Sequence, residues 1–216
     1  MKKFRIKTKD MVLMGIITAL LIVFSMTPIG TIPIGPLSAS LNVIPVAIAA
    51  VALGPVGGAI AGGIFGILSF LQCFGIGVPS TMGAILVEIN PVLAFIQRFI
   101  PRLLDGLLVG LIFKGVSKKS NPYLASAVTG FCTALLNTVF FMGALMLLFG
   151  NTEYVQRLMA EKGTDNVILF IIFFVGFNAV LEMVAATIVT GGVGSALYRA
   201  KLIQPPTKLK TAKKAE

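Results

Sequence analysis

Histidine and tryptophan are absent from the chain, cysteine occurs twice and tyrosine three times, and acidic residues are few: 8 Asp and Glu against 18 Lys and Arg. Without His, and with two Cys far apart in sequence, zinc sites and the common nucleophile and base pairs have no parts. Cys73 and Cys132 fall in apolar segments at different expected depths, so no disulfide is expected between them. The G-x-x-x-x-G-K-[ST] pattern is missing as well, which excludes a Walker-type ATP site. Gly191-Gly192-Val193-Gly194 has no strand before it and reads as a helix-packing face. The chain is therefore not expected to be an enzyme.

What the chain has in abundance is apolar surface: 56% of residues are hydrophobic, 12% are charged, and the mean hydropathy is +0.97. An ordinary soluble domain does not look like this. The apolar stretches cover 11–27, 37–53, 55–74, 91–116, 122–149 and 167–197. A helix of about 20 residues crosses a hydrocarbon core of about 30 Å. The stretch 37–53 is short and stops at Gly54-Pro55, so it predicts a short helix joined tightly to the next. Backbone in lipid must satisfy its own hydrogen bonds, and barrel-type alternation is missing. The expected fold class is an all-α integral membrane protein with six transmembrane helices over 11–200, a basic segment 1–10 before it and a basic tail 201–216 after it.

The net charge of +10 is explained by topology rather than by a nucleic-acid partner. Lys2, Lys3, Arg5, Lys7 and Lys9 precede the first helix; Lys114, Lys118 and Lys119 follow the fourth; Arg199, Lys201, Lys208, Lys210, Lys213 and Lys214 follow the last. With six spans all three clusters share one side, and the positive-inside rule makes that side, and both termini, cytoplasmic. On the other side Arg157 and Lys162 are offset by Glu153, Glu161 and Asp165. The first apolar run has no small-residue cleavage site near its end, Ser38-Ala39-Ser40 being too far downstream, so it is read as a retained helix.

The outward connections are the long ones. The first holds Pro28, Pro33 and Pro36 and predicts a stiff loop; 75–90 contains the apolar run 82–87 and predicts a lid; 150–166 predicts a short helix around 154–160. Asn90-Pro91 and Asn121-Pro122 read as helix starts, with Asn as cap and Pro in the first turn. Gly58, Gly62 and Gly66 recur every four residues and predict close internal helix packing. Gly15 and Ala19 repeat the pattern on the first helix and suit either an internal or an intersubunit face.

Against this background Arg98, Asn137, Asn178 and Glu182 stand out, each deep in an apolar segment. A charge at the centre of a bilayer costs about 2.5 to 3.5 kcal/mol on insertion scales, so such groups mark ligand or ion pathways. Arg98, Arg102 and Asp105 share one helix face, and Pro101 between them is expected to kink the helix. Arg98 lies about 12 Å in from Asn90 at about 1.5 Å per residue, where it can face a cavity open to the outside. Arg102 and Asp105 are expected to pair with each other. Asn178 and Glu182 lie one turn apart, and they and Asn137 must find partners across helices, an Arg98–Glu182 pair among them, or on a ligand. Rival readings are a lipid-modifying membrane enzyme built on Arg98 and Glu182, and a self-contained ion-coupled transporter. No inverted repeat supports the latter.

The segment IPVAIAAVALGPVGGAIAGGIFGILSF at 44–70, with its Gly-Pro junction, resembles the second and third helices of the substrate-binding membrane subunits, or S components, of energy-coupling factor vitamin transporters. Gly15-Ile16-Ile17-Thr18-Ala19 sits where that family has an Ala-x-x-x-Ala coupling motif, with Gly in the first position here. The resemblance covers roughly 11–200, and SFLQCFG at 69–75 with INPVLAFIQRFIPRLLDG at 89–106 is most similar to the pantothenate-specific members. It implies six helices, a substrate site near the outer side formed by helices four to six, and loops one and three as a gate. It also implies a transmembrane coupling protein, for which Gly15 and Ala19 would be the interface, and two cytoplasmic ATPases that use the ATP, with no cofactor on this chain. A multi-pass protein of the bacterial plasma membrane follows from the same resemblance.

Pantothenate is a small flexible anion with hydroxyls and an amide, and asks for a cation with several amide partners. Arg98 with Gln72, Gln97, Asn137 and Asn178 would supply them, with Glu182 nearby. Flat vitamins such as riboflavin or folate, the alternative substrates, are usually held by stacking on Trp or Tyr.

Overall fold

Helix boundaries follow the punctuation in the sequence closely. The computed structural model describes residues 8–34, 37–161, 163 and 166–203; Lys2 to Lys7, Lys162, Asp165 and the lysines from 208 onward lie outside the described residues. The elements are α1 (Thr8–Met26), a hairpin of β1 (Thr31–Ile34) and β2 (Leu37–Ser40), α2 (Val43–Leu71), a 3-10 turn (Gln72–Phe74), α3 (Thr81–Ile89), α4 (Pro91–Val116), α5 (Pro122–Phe149), α6 (Glu153–Glu161) and α7 (Val167–Arg199). Asn90 Oδ1 accepts from Val92 N and Leu93 N at 3.1 and 3.0 Å, and Asn121 Oδ1 accepts from Leu124 N at 2.7 Å, so both are caps as expected.

The second apolar stretch departs from expectation at its start. Residues 37–40 are a strand, paired antiparallel with 31–34 in the register Thr31↔Ser40 to Ile34↔Leu37, and helix begins only at Val43. Leu37-Ser38-Ala39-Ser40 alternates apolar and polar with the period of a strand, a signal that the overall apolarity of the stretch conceals.

Helix α2 is formally 29 residues long, which as a straight rod would measure about 43 Å. Yet Asn42 at its start and Gln72 just past its end both bond to Ser25: Ser25 Oγ donates to Asn42 Oδ1 at 3.2 Å and Gln72 Nε2 donates to Ser25 O at 2.9 Å. The chain reverses at Gly54, whose φ of 73° and ψ of −164° lie in a region open to glycine. The arms 43–53 and 55–71 therefore run back to back. Gly54→Ala is expected to lower stability by about 1–3 kcal/mol although no atom stands within 4 Å of the added Cβ. Gly15→Ala, also with nothing within 4 Å but at an ordinary helical φ, is the control and should be neutral or better in the same detergent melting assay.

The arm 55–71 lies antiparallel to α4 with backbones in contact. A Cβ on Gly58 would meet the Gly106 carbonyl, on Gly62 the Arg102 carbonyl, on Gly66 the Phe99 Cα, and on Gly110 the Pro55 backbone. This is the internal packing predicted for the glycine ladder. Helices α5 and α7 pack likewise, Gly130 against the Ala186 carbonyl, Gly191 against Tyr123 and Ala127, and Gly194 against Ser126, which accounts for two of the three glycines in 191–194; Gly192 has open space at its Cβ position. Gly15 and Ala19 are exposed on the outer face of α1.

Two apolar clusters hold the bundle. One joins α1, α2, α5 and α7 through Leu21, Val46, Phe65, Ala134 and Ala186. The other gathers Met82 and Leu86 of α3, Met142 and Phe149 of α5, Val155 and Met159 of α6, and Phe170 of α7. The apolar run 82–87 thus packs inward, as the lid reading requires.

Among the described residues α1, α2 with its 3-10 turn, α5 and 175–199 of α7 are long and apolar enough to cross a membrane. Helix α4 is long enough at 26 residues but carries Arg98, Arg102 and Asp105 in its middle. Lys9 Nζ donates to Lys201 O at 3.2 Å, so the start of α1 and the end of α7 meet. Lys114, Lys118, Lys119 and Arg199 belong to that same end, with Asp10, while Glu88, Glu153, Arg157 and Glu161 belong to the other.

Candidate functional site

Polar side chains buried between α4, α5 and α7 surround a cavity of about 120 Å³. That is room for several water molecules at about 10–15 Å³ each. The second arm of α2 contributes Phe65 and Ser69, the turn after it Gln72, the hairpin Ser40, and the segment 78–82 closes one side. Of the residues expected from sequence, Arg98, Asn137, Asn178, Glu182 and Gln72 all line this cavity. Gln97 does not: it is 0% exposed and points its Nε2 at Phe141 O, 3.4 Å away. Its place on α4, one residue before Arg98, turns it about 100° from the cavity wall.

The two arginines are held differently. Arg98 donates from Nη1 to Ser69 Oγ at 3.2 Å and from Nη2 to Ser80 Oγ at 3.1 Å. Ser80 Oγ also accepts from Gly83 N at 3.1 Å as the cap of α3, so Arg98 ties the lid helix to α4 and α2. Arg102 donates from Nη1 to Arg98 O at 2.8 Å. Its guanidinium lies between two rings, 4.5 Å from the centroid of Phe65 and 4.7 Å from that of Phe141. Cation–π contacts of this kind contribute about 0.5 to 2 kcal/mol each.

The ion pairs expected inside the membrane do not form. Among the described residues the one salt bridge is Arg157–Glu161 at 3.2 Å on the surface of α6. Helical side chains lean toward the N-terminus, so Arg102 reaches up toward Arg98 O and away from Asp105, which lies a turn further on. Asp105 is buried, and its Oδ1 has no partner among the described residues. Glu182 is engaged by the hairpin instead: its Oε1 accepts from Ser40 N at 2.6 Å. Asn42 Nδ2 donates to Ser40 Oγ at 3.3 Å, which extends this contact through Asn42 and Ser25 to the end of α1. Asn178 and Asn137 have no hydrogen-bond partner among the described residues, and Asn137 Oδ1 is fully buried.

The cavity thus presents two guanidinium groups, one carboxylate, and amide and hydroxyl groups with spare capacity. Such a wall suits a small anion that carries hydroxyls or an amide. Serines 40, 69 and 80 were not legible as site residues because nothing local distinguishes them from loop and packing serines. Arg102 carried a signal, since its i+4 spacing from Arg98 already placed both on one face.

The family model described as "ECF transporter, substrate-specific component" matches residues 9–193, most of the chain. The chain belongs to this family. The substrate-specific component is 30% identical over 199 residues to a protein named pantothenate transporter PanT from Leuconostoc mesenteroides, covering 88% of this chain and 93% of that one. It is 27% identical over 206 residues to a pantothenic acid transporter PanT of Lactococcus lactis, with 90% and 96% covered. Its role is accordingly in transport rather than catalysis.

Proposed function

We propose that this S component captures pantothenate in the α4–α5–α7 cavity for an ATP-driven importer of the bacterial plasma membrane. The observation that carries the reading is a pair of buried guanidiniums, Arg98 and Arg102, each 5% exposed, with no carboxylate within 4 Å of either among the described residues. Two unpaired cations in a low-dielectric site call for an anion. Asn137, Asn178, Gln72 and Glu182 on the same walls suit the hydroxyls and amide of the vitamin. The names of the two relatives point the same way. Riboflavin and folate fit less well: the cavity rings Phe65 and Phe141 are already covered by the Arg102 guanidinium, leaving no free aromatic slot between them.

In this reading α1, the two arms of α2, α4, α5 and α7 are six spans. The basic end around Lys9, Lys114 and Lys201 is cytoplasmic, and the cavity opens toward the outer side. Titrating the purified chain with pantothenate, riboflavin and folate by calorimetry tests it. Pantothenate should bind and the two flat vitamins should not; tight binding of riboflavin or folate instead would overturn the substrate, and binding of none would overturn vitamin capture.

Uptake then depends on a transmembrane coupling protein and two cytoplasmic ATPases, met through the exposed small face of α1 at Gly15 and Ala19. Ala19→Trp is expected to leave pantothenate affinity within about twofold, as surface changes usually do, while uptake in cells carrying the coupling proteins falls to background. Full uptake by this variant would move the coupling face elsewhere.

A further inference from the structure

Two arginines in one cavity need not do the same work, and their bonding separates them. Arg98 donates one bond from each terminal nitrogen, Nη1 to Ser69 Oγ at 3.2 Å and Nη2 to Ser80 Oγ at 3.1 Å; its Nε has no partner among the described residues, and its guanidinium stands 5.1 Å from the centroid of Phe141. Its two bonds join the second arm of α2 to the cap of α3 from both ends of the fork. Arg102 spends only Nη1, on Arg98 O, and its Nη2 has no hydrogen-bond partner among the described residues. The rings of Phe65 and Phe141 hold its guanidinium at 4.5 and 4.7 Å and fix its position without satisfying its in-plane donors. Arg102 is also the deeper of the two, one turn further along α4 from Asn90.

On α7 the complementary groups are Glu182 and Asn178, one turn apart on the same cavity. Glu182 commits Oε1 to Ser40 N at 2.6 Å, and among the described residues no arginine comes within 4 Å of its carboxylate. Asn178 has no partner among the described residues. A carboxylate accepts hydrogen bonds and repels another carboxylate, so a bound anion must turn its charged end away from Glu182.

Resting on the reading that pantothenate is the cargo, we propose that Arg102 is the anion-contacting residue and that the vitamin lies with its carboxylate at Arg102 and its hydroxyl end at Asn178 and Glu182. Arg98 then positions the walls, holding α3 closed over the site. The assignment differs from sequence expectation, in which Arg98 takes the anion and Arg102 pairs with Asp105. It also gives the aromatic residues a role: Phe65 and Phe141 orient the arginine, not the vitamin.

The test pairs the acid with the corresponding alcohol, in which a CH2OH group replaces the carboxylate. Full-length protein in detergent is titrated calorimetrically with both, as wild type, Arg102→Gln and Arg98→Gln. Wild type should prefer the acid by about 30-fold or more, the scale of a buried charge pair. Arg102→Gln should bind acid and alcohol within about threefold of each other. Arg98→Gln should weaken both and keep the preference. Retention of the preference in Arg102→Gln, or its loss in Arg98→Gln alone, overturns the assignment while leaving pantothenate as cargo. Failure of wild type to bind pantothenate overturns the reading beneath it. If Arg102→Gln does not fold, Arg102→Lys keeps a charge but not the planar fork and should narrow the preference; an unchanged preference there counts against the assignment.

Discussion

Gly62→Leu is expected to lower the thermal midpoint in detergent by about 6–12 °C, the shift for a loss of about 3 kcal/mol in a chain of this size. A Cβ at Gly62 would fall on the carbonyl of Arg102, and one at Gly58 on that of Gly106, so neither helix can yield by rotating a side chain. Forcing the arm 55–71 away from α4 also moves Arg102 relative to Phe65, so pantothenate binding should fall with stability. Gly115→Leu, near the end of α4, meets nothing within 4 Å and is the control, expected to leave the midpoint unchanged or slightly raised. A melting scan with and without vitamin reads both effects. Equal midpoints for the two variants would mean that the helices are not in backbone contact.

Arg98→Ala should reduce pantothenate affinity at least about 30-fold, the equivalent of about 2 kcal/mol. The substitution leaves Ser69 Oγ and Ser80 Oγ without their cationic donor and cuts the tie between the cap of α3 and α4. The lid helix would then be held by Met82 and Leu86 in the apolar cluster and by the chain itself. Arg98→Lys should recover only part of the loss, because one ammonium on a flexible stem does not reproduce a fork that spans two hydroxyls. Calorimetry checks both variants; full affinity in Arg98→Ala would show that the tie is dispensable.

Much of this architecture was legible in the sequence because membrane helices are specified by few and coarse signals. Apolar runs, Asn-Pro starts and the four-residue glycine spacing each depend on a single physical preference, and each appears where expected. The reversal at Gly54 was legible for the same reason, since Gly-Pro leaves a helix few ways to continue. The hairpin at 31–40 was not, because two four-residue strands inside an apolar, proline-rich stretch give too short a pattern to outweigh composition.

At the site the division is similar. Deeply placed polar residues were visible as anomalies, and the cavity gathers Arg98, Asn137, Asn178, Glu182 and Gln72. Their pairing was not visible, because spacing on a helix gives the face but not the lean of a long side chain. Arg102 bends back to its own helix and two phenylalanines, and Glu182 finds a backbone amide of the hairpin whose existence the sequence concealed. Gln97 shows the limit of reading neighbours in sequence as neighbours in space: one position along a helix turned it toward Phe141 O.

The central claim is that an anionic vitamin is held inside the cavity between α4, α5 and α7. A density map of the purified chain with pantothenate bound tests it most directly. The account predicts ligand density bounded by Arg102, Asn137, Asn178 and Glu182, with the carboxylate end within hydrogen-bond reach of the Arg102 guanidinium. Density for the vitamin elsewhere on the protein, with this cavity empty, would contradict it.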